Sequence, residues 1–135
     1  MILIVDASTT LEWFLPGQFS LTAAASLKVA RRSLVVVPAI WVFETQNVLL
    51  KCIRQRKLTS ADAQDIRTEL SLISTRVMEV PDQETIRGVW EIATHQTMTF
   101  YDAAYVELAW RLNLPLASSD TAIRAAATVL GIKLL

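Results

Sequence analysis

Short, unbroken apolar runs alternate along this chain with longer stretches that mix apolar and polar positions at helical spacing. Ile2-Leu3-Ile4-Val5 and Leu34-Val35-Val36-Val37 are continuous and rich in β-branched residues, the pattern of strands buried on both faces of a parallel sheet. Arg76-Val77-Met78-Glu79-Val80 alternates and predicts a third strand, Leu116-Ala117 a short fourth, and Ile132-Lys133-Leu134-Leu135 a closing one. Helices are expected over 8–14, from Ser20 or Thr22 to near Ala30, and from near Ala39 to Arg56. Another is capped by Thr59 or Ser60, with Thr59-x-x-Asp62 as a capping box. Three more run from Pro81-Asp82 to near His95, from Thr99 to Leu112 and from Thr121 to Leu130. Pro16-Gly17, Pro38 and Gly131 supply the stops. Strands that alternate with helices predict an α/β fold, a central parallel sheet in a three-layer α/β/α sandwich with right-handed crossovers. In such folds ligands bind beyond the carboxyl ends of the strands, where the strand order reverses.

The length of 135 residues fits a single domain over 1–135. At this size roughly two-thirds of the unfolded surface is buried, enough for a real core. The 53% hydrophobic content excludes a disordered chain. Lys plus Arg equals Asp plus Glu at 13 each, so no overall basic field advertises a polyanion partner. Bound cations at a metal site remove that objection locally. Cys52 is the only cysteine, so no intrachain disulfide forms, as suits a reducing cytosol. No apolar run reaches the roughly 20 residues of a membrane span. The first apolar run lacks a basic flank and ends at Asp6, so it reads as a strand and not a signal peptide. A cytoplasmic protein that does not enter a membrane is expected.

Four acids then stand out. Asp6 ends the first strand, Asp120 follows the Leu116-Ala117 strand through Ser118 and Ser119, Asp102 opens an apolar helix, and Glu44 follows Ile40-Trp41-Val42-Phe43. Each has a bland reading. Asp6, Asp102 and Asp120 all suit helix starts, where a carboxylate accepts free N–H groups and meets the helix dipole. For Asp6, however, Ser8 and Thr9 are alternative caps, and Thr9-x-x-Glu12 makes a box of its own, which frees Asp6. Glu44 has Ile40, Trp41, Asn47 and Val48 as helical neighbours, an apolar setting in which an unpaired carboxylate is costly. Placed together on one rim without cations, the four repel one another and invite a hard divalent cation such as Mg²⁺ or Mn²⁺.

Other chemistry-bearing residues read more plainly. Asp62, Asp65, Glu69, Asp82, Glu84 and Glu91 sit among polar neighbours and face solvent. Glu107 lies about one turn beyond Asp102 in an apolar helix, and Glu12 is expected at the mouth of the site. His95 has no evident partner and reads as a surface residue, and Cys52 as core. Trp13, Trp41, Trp90 and Trp110 read as core or subunit-contact residues. Lys51, Arg54, Arg56 and Lys57 cluster at a helix C-terminus, where they complement the dipole; phosphate contact is the alternative.

The segments Ile4-Val5-Asp6-Ala7-Ser8, Glu44-x-x-Asn47-Val48-Leu49, Tyr101-Asp102-Ala103-Ala104-Tyr105 and Leu116-Ala117-Ser118-Ser119-Asp120 occur in this order. With them the chain resembles the PIN-domain ribonucleases, in particular the VapC-type toxins of VapBC toxin–antitoxin pairs. The resemblance covers essentially the whole chain. It implies a PIN-like α/β/α fold and an Mg²⁺- or Mn²⁺-dependent endoribonuclease. By motif position Asp6, Glu44, Asp102 and Asp120 are the metal-site acids, and Ser8 and Ser118 the accompanying hydroxyls. Serine stands at 118 where the family commonly has threonine, which keeps the hydroxyl. The resemblance further implies an RNA substrate, a cognate antitoxin that inserts a C-terminal segment into the groove, and a homodimer. The expected chemistry is phosphodiester hydrolysis by water activated at one or two divalent cations, with Ser8 and Ser118 orienting the site. Two rivals remain at this point. One is a receiver-like or haloacid-dehalogenase-like phosphate acceptor, although the latter wants an aspartate where Ser8 stands. The other is a catalytically silent PIN-like module that only binds a partner.

Overall fold

The computed structural model describes all of residues 1–135. The elements run β1 (Ile2–Val5), α1 (Ala7–Glu12), α2 (Leu21–Ala30), β2 (Leu34–Val37), α3 (Ile40–Arg54) and α4 (Ser60–Ser71). They continue as β3 (Thr75–Val77), α5 (Gln83–His95), α6 (Phe100–Leu112), β4 (Leu116–Ala117) and α7 (Thr121–Val129). All strand pairs are parallel, in the order β3-β2-β1-β4. The three-layer α/β/α expectation is met.

Side chains on a strand alternate between faces even when every residue is apolar. Ile4, Val36 and Leu116 point to one side, where they pack with Tyr105, Val106 and Ala109 of α6 and Ile123 of α7. Leu3, Val5, Val35, Val37 and Ala117 point to the other, against Trp13 and with Ala23 and Ala30 of α2. A third cluster, with Leu11, Leu49, Cys52 and Ile66, joins α1, α3 and α4. The unbroken apolar runs are therefore strands covered on both faces.

Two predicted strands are shorter than their sequences imply. β3 ends at Val77, not Val80. The Met78 N–H still donates to the Val37 carbonyl at 2.9 Å. Beyond that point the neighbouring strand has reached Pro38, which has no N–H, and turns into α3, so Glu79 and Val80 have nothing to pair with. The predicted closing strand is only a parallel bridge between Leu116 and Leu134. β4 has just two residues before the chain turns through Ser118, which leaves no longer edge to extend.

The helix ends follow local chemistry. Ser20 caps α2, and Thr59 and Asp62 form the reciprocal capping box on α4. At the end of α3, Arg56 takes a left-handed φ of 58°. Lys57 and Arg56 N–H groups then reach back to the carbonyls of Cys52 and Ile53 at 2.9 and 3.0 Å, a Schellman ending built on arginine where glycine is usual.

Gly88 lies inside α5, where glycine costs about 0.5–1 kcal/mol relative to alanine. A Cβ there meets only the Glu107 side chain, Cγ at 3.6 Å and Oε1 at 3.9 Å, ordinary contacts. Gly88→Ala is therefore expected to raise stability by about 0.5–1 kcal/mol. Urea unfolding midpoints check this; an unchanged or lower midpoint would show that the α5–α6 contact is tighter than it looks.

Candidate metal and phosphodiester site

The strand order reverses at β1, between β2 on one side and β4 on the other. Asp6 follows β1 directly. Its backbone stays extended (ψ 164°), so α1 starts at Ala7, one residue before the expected Ser8. Asp6 is itself the N-cap of α1, which corrects the expectation that Ser8 or Thr9 leaves it free. Its Oδ1 accepts the Thr9 N–H at 3.3 Å and its Oδ2 accepts the Ser8 hydroxyl at 2.9 Å. Asp120 caps α7 and accepts the Ile123 N–H at 2.9 Å. The buried Ser118 hydroxyl accepts the Asp120 N–H at 3.0 Å and holds that turn. Asp102 is the third residue of α6, with Thr99 capping its N–H at 3.1 Å. Glu44 lies on α3, and the Tyr105 hydroxyl donates to its Oε1 at 2.7 Å.

All four acids line one cavity of about 260 Å³, together with Ala7, Ser8, Asn47, Val48 and Tyr105. No lysine or arginine lines it. Arg124, the nearest cation in sequence to Asp120, instead donates to the Ser118 carbonyl at 3.0 Å. Burial pushes the Asp6 carboxyl above its usual range, opposed by its bonds from Thr9 and Ser8. Burial also pushes Glu44 up, against the Tyr105 bond, and the charges of Asp102 and Asp6 add to the rise. Asp102 is raised by burial and then by Asp120. Tyr105 is driven far up by burial and by Glu44, so it stays a neutral donor. The cavity thus concentrates anionic oxygen ligands that destabilise one another, a donor set that fits a hard divalent cation. No three acidic, histidine or cysteine side chains are already gathered about one point in the manner of a closed ion cage.

The remaining candidates lie elsewhere. Glu107 is buried on α6 and pairs with Arg111 at 2.7 Å, away from the four acids. Glu12 neither lines the cavity nor closes a box with Thr9, which lies inside α1. It accepts the hydroxyls of Ser119 at 2.5 Å and Ser20 at 2.6 Å, while Thr9 Oγ1 accepts the Ser119 N–H at 3.0 Å. These bonds tie the turn before Asp120 to α1. His95 is exposed and Cys52 buried, as expected. Trp13 is core, but Trp90 and Trp110 are 62% and 58% exposed. Tyr105 and Asn47 are site residues the sequence reading did not single out. Their signal was helical spacing: each lies three residues beyond an acid, Asp102 and Glu44.

Tyr105→Phe removes the donor that orients Glu44. It is expected to cost about 1 kcal/mol of stability and to weaken Mn²⁺ binding on the order of tenfold, the low end for outer-shell partners. Calorimetry checks this, and unchanged affinity would detach Glu44 from the ion.

The comparisons with known proteins bear on the family and the fold that carry this geometry. The family model described as PIN domain matches residues 3–129. The chain belongs to the PIN domain family. No curated protein matches it. Among solved structures, PAE2754 from Pyrobaculum aerophilum is similar at 24% identity and TM-score 0.68, covering 97% of this chain and 96% of that one. VapBC2 from Rickettsia felis, bound to a DNA fragment from their promoter, is similar at 11% identity and TM-score 0.68, covering 100% and 98%. FitAcB from Neisseria gonorrhoeae follows at 17% identity and TM-score 0.65, covering 100% and 96%. At these identities the likenesses speak to the fold. PIN domains are generally nucleases, and within this PIN domain the four acids occupy the rim where the sheet order reverses.

Proposed function

We propose that this PIN domain is an Mg²⁺- or Mn²⁺-dependent endoribonuclease, the toxin of a type II toxin–antitoxin pair. The observation that carries this reading is the cation-free cavity lined by Asp6, Glu44, Asp102 and Asp120. Those four carboxylates would hold the metal. When bound, the divalent cation supplies Lewis-acid chemistry, lowering the pKa of a water and compensating charge on the phosphoryl group. The chain's own residues do the positioning. Ser8 fixes one Asp6 oxygen, Tyr105 fixes one Glu44 oxygen, and Ser118 holds the turn that presents Asp120. No histidine or cysteine lines the cavity, and the nucleophile in this reading is water.

The fold likeness to VapBC2 and the four motifs support a cognate antitoxin as partner. Exposed Trp90 and Trp110 support a homodimer or another protein contact. No helix is long and apolar enough to cross a membrane, and a cytoplasmic site of action is part of the same proposal.

RNA cleavage that appears with Mg²⁺ or Mn²⁺ and stops with a chelator is the expected result. Absence of cleavage on every RNA tried, together with no Mn²⁺ binding by calorimetry, would favour the silent partner-binding module. The lack of a ready-made three-ligand cluster is the one observation on that side.

A further inference from the structure

We infer that the edge of α3 leading from Glu44 through Asn47 is a track for the backbone of single-stranded RNA, with its acidic end at the metal cavity and its cationic end over Lys51, Arg54, Arg56 and Lys57. The inference rests on the nuclease reading and adds the path of the strand to it. Between Glu44 and Asp62 the chain carries these four cations and no acid. All four are exposed, and none is in an ion pair; the sole pair in the molecule joins Arg111 and Glu107.

Helix geometry aligns them with the site. Lys51 follows Glu44 by two turns, so it projects within about 20° of the same direction and lies about 10 Å further along the axis. Arg54 follows on the Asn47 side, about 15 Å from Glu44. Each half of α3 borders a cavity of its own. Asp6, Ser8, Glu44 and Asn47 line one cavity. Pro16, Gln18 and Lys57 line another of about 330 Å³, between the loop after α1 and the end of α3.

Dipole complementarity accounts for Lys51 and Arg54 in the last turn of α3. It does not account for Arg56 and Lys57, which lie beyond the helix. Arg56 moreover occupies a left-handed position (φ 58°) that glycine fills without strain. A cationic side chain is carried there at a conformational cost. With zero net charge overall, this is a local phosphate surface and not a general basic field. The linear run leading away from the acids fits a strand more than a single small anion.

The test reads binding without metal, so it is separate from catalysis. A labelled single-stranded RNA oligonucleotide is titrated with full-length protein in chelator, by anisotropy, from roughly 50 to 200 mM salt. Each lost phosphate contact lowers the slope of log K against log salt by about 0.7. Lys51→Ala with Arg54→Ala is expected to lower it by about 1.4. Arg56→Gly is expected to lower it by about 0.7 without loss of thermal stability, which removes misfolding as an explanation. Lys28→Ala, an equal charge change on α2, is expected to leave it unchanged. Slopes equal to the parent's, an equal effect from Lys28→Ala, or no binding by the parent would overturn the track. A protein that cleaves RNA with Mn²⁺ yet keeps its slope in these variants loses only the track. One that shows the slope changes but never cleaves loses only the nuclease reading.

Discussion

Asp6→Asn is expected to abolish metal-dependent RNA cleavage, by on the order of 10³-fold or about 4 kcal/mol of transition-state stabilisation. The fold survives, because asparagine is as good an N-cap as aspartate and still accepts the Thr9 N–H. Stability without divalent ions is expected to rise, since the variant no longer buries a charge beside Glu44. A nuclease that is simultaneously dead and more heat-stable is the signature of a charged functional site. Equal activity in parent and variant would remove Asp6 from the chemistry. Lower stability with lost activity would make Asp6 a structural cap and nothing more. Asp102→Asn should behave alike, because Thr99 and not the Asp102 carboxylate caps α6.

Divalent cations are expected to stabilise the protein, and more so at neutral than at acidic pH. Asp6, Glu44 and Asp102 all have raised folded pKa values. The folded chain therefore holds more protons than the unfolded one between the ordinary carboxylate range and those raised values. Stability must fall as pH rises through that window, and the full cost is present above it. A bound cation removes the cost by favouring the ionised forms. Asp62 and Asp82 have lowered values through their capping bonds and contribute with the opposite sign, but only as pH drops below the ordinary range. The two effects do not overlap. At Mn²⁺ concentrations about a hundredfold above Kd, linkage gives about 2.7 kcal/mol, or on the order of 10 °C in Tm for a chain of this size. Thermal unfolding near pH 5 and pH 7.5, with and without Mn²⁺, measures it. A shift that is equal at both values, or absent at pH 7.5, contradicts a shared acidic cavity.

Much of this architecture was legible because β1 and β2 are continuous apolar runs and most helices carry a side-chain cap. Ile2–Val5 and Leu34–Val37 carry no competing signal. The misread ends share a cause: pairing depends on a neighbour, and sequence alone does not show where that neighbour stops. Val80 lost its partner to Pro38, and the last residues found only a two-residue strand beside them. Asp6, Asp102 and Asp120 were legible because each follows a strand or opens a helix, and Glu44 because it lies among apolar helical neighbours inside α3. Their local roles were not. Asp6 turned out to be a cap as well as a cavity residue, because α1 begins one position earlier than Ser8 implies. Glu12 found a partner more than a hundred residues away in Ser119, a contact no local pattern carries. Tyr105 lies in an apolar helix, and only the fold brings its hydroxyl to Glu44.

Anomalous diffraction from crystals soaked in Mn²⁺ tests most directly whether the four carboxylates act together. One or two Mn²⁺ peaks among the oxygens of Asp6, Glu44, Asp102 and Asp120, at about 2.0–2.3 Å from at least two of them, are the predicted result. Mn²⁺ bound only elsewhere on the surface, with that cavity empty at saturating concentration, would contradict it.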